Sequence, residues 1–128
     1  MKKEKKKKVI LIVEDELPLR KILAEKLRHE GYLIIQASNG QEGLDLALRE
    51  KPNLILLDIL MPVMDGSAML EKLRADKWGK KAKIIIITNL ADKETDNETK
   101  KYGVNDFLIK SECKIIDIVK KINEILRN

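Results

Sequence analysis

Four places in this 128-residue sequence set chemically capable side chains directly after aliphatic runs. Glu14-Asp15-Glu16 follows Val9–Val13, Asp58 follows Leu54–Leu57, Thr88 follows Ile84–Ile87, and Lys110 follows Phe107–Ile109. Carboxylates gathered within a few ångströms of one another repel, and the repulsion raises their pKa values. A hard divalent cation relieves it, because such ions prefer oxygen ligands, and a lysine ammonium relieves it by charge. Taken singly, each residue has a plainer use: a strand-terminal Asp caps a turn or helix, a Thr closes a strand, a Lys is solvated. Together they form a candidate cation-binding set, provided the chain carries them to one rim.

The elements that would do so are legible. The five aliphatic runs Val9–Val13, Leu33–Ala37, Leu54–Leu57, Ile84–Ile87 and Phe107–Ile109 are continuous rather than alternating. Strands covered on both faces of a parallel sheet read this way. Helical spacing separates them. Leu19, Ile22, Leu23 and Leu27 precede the stop at Gly31; Leu44, Ala47 and Leu48 precede Pro52; Ala68, Met69, Leu70 and Leu73 follow Gly66. Ile115, Ile118, Val119, Ile122 and Leu126 mark a last helix. Asp92–Tyr102 has almost no apolar anchor, yet a right-handed crossover between parallel strands requires a helix there. Five β-α units predict an α/β three-layer sandwich, its five-stranded parallel sheet doubly wound in the flavodoxin-like order 2-1-3-4-5. Ligands of such sheets bind beyond the carboxyl ends of the strands. The second strand, ending in Ala37-Ser38, contributes nothing obvious there.

Charge and composition narrow the class. The net charge of +5 resides in residues 1–8, where six Lys face Glu4; the other 120 residues carry 20 basic and 20 acidic side chains. Residues 1–7 therefore read as a flexible basic tail and 8–128 as one domain. With no interleaved aromatics or helix-turn-helix pattern, no specific nucleic acid binding is expected. The longest unbroken isoleucine run is far too short to cross a bilayer, so no membrane role is expected. The lone Cys113 forms no internal disulfide and fits a cytoplasmic setting. His29, at the end of the first helix, falls outside the rim, and Trp78 reads as a cover for the sheet edge.

The blocks Val13-Glu14-Asp15-Glu16, Leu56 to Gly66 around Asp58, Ile87-Thr88 and Asp106 to Lys110 resemble the receiver domain of bacterial two-component response regulators. The resemblance runs from about Lys8 to the C-terminus. It implies a phosphoacceptor: Asp58 takes a phosphoryl group from a sensor histidine kinase or phosphotransfer protein. It implies Mg²⁺ (or Mn²⁺) held by Asp15, Asp58 and the Leu60 backbone carbonyl, with Glu14 acting mainly through a bound water. Lys110 and Thr88 would meet phosphoryl oxygens, and Phe107 would turn inward behind Thr88 as the switch aromatic. Output would pass to a downstream protein through the surface of the Asp92–Tyr102 helix, the fifth strand and the last helix. Such a domain is not an enzyme on other substrates; it catalyses its own phosphoryl transfer and slow dephosphorylation.

Departures from the family pattern stand beside the match. Ser111 follows Lys110 where receivers commonly place Pro, often behind a cis bond, so the loop is expected to be trans or strained. Asn89 follows Thr88 where a small residue is usual. Leu60 and Leu90 are apolar flanks expected to hinder water and lengthen the life of a phosphoryl-aspartate. Other classes fit less well. A flavin carrier needs a Gly/Ser/Thr-rich phosphate loop after the first strand, where Glu14-Asp15-Glu16 repels phosphate. A haloacid-dehalogenase-type phosphatase needs Asp-x-Asp there, and a pseudo-receiver would not need the intact acid, Thr and Lys set. The chain ends with the last helix, which suits a stand-alone regulator or a fragment of a longer protein.

Overall fold

Alternate residues of the central strands face opposite helix layers, and this is why the runs are apolar throughout. The computed structural model describes residues 6–89, 97 and 99–127. Within them β1 (Val9–Val13), β2 (Leu33–Ala37), β3 (Leu54–Leu57), β4 (Ile84–Thr88) and β5 (Asp106–Ile109) form one parallel sheet in the order β2-β1-β3-β4-β5. Leu11, Val13, Ile55, Leu57, Ile84 and Ile86 pack with α2 (Gly40–Glu50) and α3 (Gly66–Ala75) on one face. Ile10, Ile12, Leu54, Leu56, Ile85 and Ile87 pack with α1 (Leu17–His29) and α4 (Ile115–Arg127) on the other. The expected three-layer, doubly wound architecture is the one observed.

The differences from expectation are small and have local causes. β4 extends to Thr88 and β5 starts at Asp106, because Thr88 pairs with Ile109 and Ile85 with Asp106. On α1 the buried residues are Leu23, Ala24 and Leu27, whereas Ile22 is exposed. Ala24 takes the inward position, which leaves Ile22 on the flank. Of the helix expected over Asp92–Tyr102, residues 97, 99 and 100 are helical and 101–103 form a turn. Residues 90–96 and 98 lie outside the described residues, and Leu90 with them. Trp78 is half-buried against the α2/α3 core, and His29 is exposed. The Lys110–Ser111 bond is trans, as are all the described peptide bonds.

Helix starts set the rim. Asn39 caps α2 by accepting from the Glu42 amide at 2.9 Å, and Asp65 caps α3 by accepting from Ala68 at 2.8 Å. At Gly66 a Cβ would stand 2.5 Å from the Asp58 carbonyl oxygen, so only glycine lets α3 begin against the end of β3. The loop between them holds a tight three-residue turn. The Met64 amide donates to the Pro62 carbonyl at 2.8 Å, with Val63 between them at φ 68. The Gly40 amide donates to the Met64 carbonyl at 2.9 Å and so ties that loop to α2.

Candidate functional site

The pairing of β1 with β3, with Val13 opposite Leu57, brings the residues that follow each strand together. The Asp58 amide donates to the Val13 carbonyl at 3.0 Å, and the Glu14 amide to Ala37 at 3.0 Å. Glu14 is fully buried and Asp58 is 3% exposed, while Asp15 is exposed. One carboxylate oxygen from each of Glu14, Asp15 and Asp58 lies within 4.8 Å of the others.

Lys110, on the far side of β4, reaches this acid group. Its Nζ lies 2.9 Å from Asp58 Oδ2, 2.5 Å from Glu14 Oε1 and 3.4 Å from Glu16 Oε1. Burial pushes the Glu14 carboxyl up to about 7; Lys110 opposes that rise and the charge of Asp58 adds to it. Burial works to lower the Lys110 pKa, but Glu14 and Asp58 outweigh it and hold the ammonium well above its ordinary range. The other Asp58 oxygen, Oδ1, accepts the Leu60 amide at 3.2 Å.

Thr88 is buried at the end of β4. Phe107 lies opposite Ile86 on β5, half-buried against the α2/α3 core. The structure thus gathers Glu14, Asp15, Asp58 and Lys110 into one pocket, sets Leu60 on its lip, and places Thr88 and Phe107 on the two strands beside it.

Two participants had no role assigned from sequence. Glu16 occupies the N-cap position of α1 but caps nothing with its side chain, and its carboxylate meets Lys110 instead. Its place in the acidic triplet was the available signal. Arg20 donates to the Glu14 carbonyl at 2.7 Å and to Gln36 Oε1 at 3.3 Å, bracing the acidic loop against β2. A lone arginine on an exposed helix face gives no such signal.

The donor set suits a hard cation: all oxygen, carboxylate-rich and closely spaced. Glu14 Oε1 also accepts no hydrogen bond of regular geometry, although the Lys110 charge stands beside it.

The acidic, lysine-capped group stands at the carboxyl rim of a 2-1-3-4-5 sheet, where open α/β sheets bind their ligands. The sequence profile of the response regulator receiver domain matches residues 10–123. Sporulation initiation phosphotransferase F of Bacillus subtilis (strain 168) is 36% identical over 94 residues, covering 73% of this chain and 74% of that protein. Response regulator ArlR of Staphylococcus aureus (strain Mu50 / ATCC 700699) is 36% identical over 118 residues, covering 92% of this chain and 52% of that protein. The crystal structure of a CheY-like response regulator receiver domain protein from Methanospirillum hungatei JF-1 superposes with a TM-score of 0.87 at 32% identity, covering 95% of each chain. This chain belongs to the response regulator receiver domain family of two-component systems. It spans about half the length of the first curated relatives it matches. Among the described residues, no helix is long and apolar enough to cross a membrane.

Proposed function

We propose that the chain is a phosphoacceptor domain in which Asp58 takes a phosphoryl group from the phosphohistidine of a sensor histidine kinase or phosphotransfer protein. The observation that carries this reading is the Asp58 carboxylate, buried between the Lys110 ammonium at 2.9 Å and the oxygens of Glu14 and Asp15. An Asp58 oxygen attacks phosphorus as the P–N bond to the donor imidazole breaks, and the electron pair stays on that nitrogen. Such transfer demands in-line placement and neutralisation of oxygen charge more than covalent chemistry.

Lys110 supplies one positive charge and exchanges its carboxylate contact for a phosphoryl oxygen. The Thr88 hydroxyl donates to a second oxygen, and Phe107 turns into the space that Thr88 vacates, which biases a two-state equilibrium. Glu14, Asp15, Asp58 and the Leu60 carbonyl would hold Mg²⁺ or Mn²⁺, Glu14 mainly through water. The ion's contribution would be to offset the charge of the acids and of the incoming phosphoryl oxygens. Leu60 is 54% exposed at the lip and offers an attacking water no polar partner, which favours a phosphoryl-aspartate of moderate or long lifetime. Output would pass to a partner protein through the face of the 92–102 segment, β5 and α4, in the cytoplasm.

Incubation with Mg²⁺ and phosphoramidate or acetyl phosphate, followed by intact mass measurement, tests the reading. The expected result is a gain of one phosphoryl group that disappears in Asp58→Asn. No gain, with beryllium fluoride also failing to bind, removes it.

A further inference from the structure

The β4–β5 ladder ends at the Thr88–Ile109 pair. Beyond it one hydrogen bond spans the two loops: the Ser111 amide donates to Asn89 Oδ1 at 3.1 Å. Each partner is the immediate neighbour of a site residue, Asn89 of Thr88 and Ser111 of Lys110. The side-chain carbonyl of Asn89 therefore acts as one further rung where the backbones have parted. It needs an N–H at position 111, which serine has and proline lacks.

This rung matters because of where Lys110 is rooted. Lys110 opens the short 3-10 turn Lys110–Glu112, and the residue before that turn, Ile109, provides no side-chain cap. On its N-terminal side Lys110 is fixed by the last β5 pair, and on its C-terminal side the Asn89 bond holds the next residue. A lysine ammonium rides on a flexible four-carbon stem, so the backbone root decides where it can reach. Here it must reach Asp58 at 2.9 Å and Glu14 at 2.5 Å together.

We propose that Asn89 is a positioning residue for Lys110: its side-chain carbonyl ties the Lys110–Glu112 turn to the end of β4 and holds the ammonium against Asp58. This inference rests on the phosphoacceptor reading of Asp58. The same bond joins the neighbours of Thr88 and Lys110, so a shift at the end of β4 carries the root of the lysine with it. Hydroxyl and ammonium then approach a phosphoryl group as a unit.

The test compares the full chain with Asn89→Ala and Asn89→Asp. Three readouts are taken: amide hydrogen exchange at Ser111, Mg²⁺ affinity by calorimetry, and the rate of phosphorylation by phosphoramidate. Loss of one net hydrogen bond should speed Ser111 exchange in Asn89→Ala about fivefold. A loosened lysine should slow phosphorylation about three- to tenfold. The Mg²⁺ dissociation constant should not rise, because the acids are untouched and a loosened ammonium opposes the ion less. Asn89→Asp keeps the acceptor and should restore protection at Ser111, which a role in bulk or packing would not predict. Asn89→Ala that phosphorylates at the wild-type rate overturns the positioning role alone, as does a parallel fall in Mg²⁺ affinity and rate. A wild-type chain that takes up no phosphoryl group overturns the phosphoacceptor reading, and this role with it.

Discussion

The ammonium of Lys110 stands 2.5 Å from Oε1 of Glu14, closer than its 2.9 Å approach to Oδ2 of Asp58. The lysine is thus shared between a fully buried carboxyl and the candidate nucleophile. That sharing governs how the pocket responds to protons and cations.

Glu14 gives the first expectation. Its native pKa is raised from 4.5 to about 7 chiefly by burial, so the folded chain keeps a proton that the unfolded chain has released. In metal-free buffer its contribution to stability is therefore greatest below about pH 4.5 and declines as pH rises through about 7. The decline is on the order of 3 kcal/mol at most. Lys110 stays protonated across this window and adds no slope. Denaturant melts from pH 5 to 8 should show the fall in the wild type and a flatter profile in Glu14→Gln; equal slopes would remove this account.

Protons and Mg²⁺ compete for the same carboxyl group. Magnesium should raise thermal stability, and raise it more at pH 8 than at pH 6, because Glu14 must ionise to serve the ion. Saturation at about a hundred times the dissociation constant corresponds to about 2.7 kcal/mol. Asp15→Asn should lose most of the shift in a calorimetric scan. A shift that is larger at pH 6 would contradict the competition.

Arg74 is a stability site remote from the pocket. Its guanidinium donates to four backbone carbonyls: Gly79 at 2.6 Å, Tyr102 at 2.7 Å, Ala82 at 2.8 Å and Gly103 at 3.2 Å. It thereby bolts the end of α3 to the loop before β4 and the turn before β5. Arg74→Met should cost about 3 kcal/mol in urea denaturation, since charge-assisted bonds to several carbonyls are lost together. Arg74→Lys should recover little of it, because an ammonium cannot reproduce the planar fork.

Val63 carries backbone strain in the loop above Asp58. It sits at φ 68, a left-handed value that is uncommon for a β-branched residue, and the residue is 84% exposed. Val63→Gly should therefore lose almost no packing and relieve the strain, offset in part by a more flexible unfolded chain. The net expectation is a gain of about 1 kcal/mol, or about 4 °C in melting temperature. A lower melting temperature would show that the side chain has a partner or that the turn is unstrained.

The sheet was legible because its strands are mainly aliphatic runs, broken in β2 only by Gln36; β1, β2 and β3 begin and end where those runs do. Thr88 and Asp106 were left out of their strands because each is polar, and only the ladder to the neighbouring strand draws them in. The gathering of Glu14, Asp15, Asp58 and Lys110 followed from strand ends alone, since a parallel sheet brings all its carboxyl termini to one rim. Arg20, Arg74 and the Asn89–Ser111 bond were not legible. They depend on how far a side chain reaches across a loop, which no periodicity records. The outward turn of Ile22 likewise depended on Ala24 being the residue that fits against the sheet.

The bare backbone of Gly66 against the Asp58 carbonyl has a mechanical result. No side chain lies between them to absorb movement, and the Gly66 amide is also bonded to Ile59 at 2.9 Å. An outward push on the main chain at Asp58 is thus a push on the base of α3, without slack. Through the Met64–Gly40 bond the same thrust arrives at α2, on the flank of the molecule away from α1.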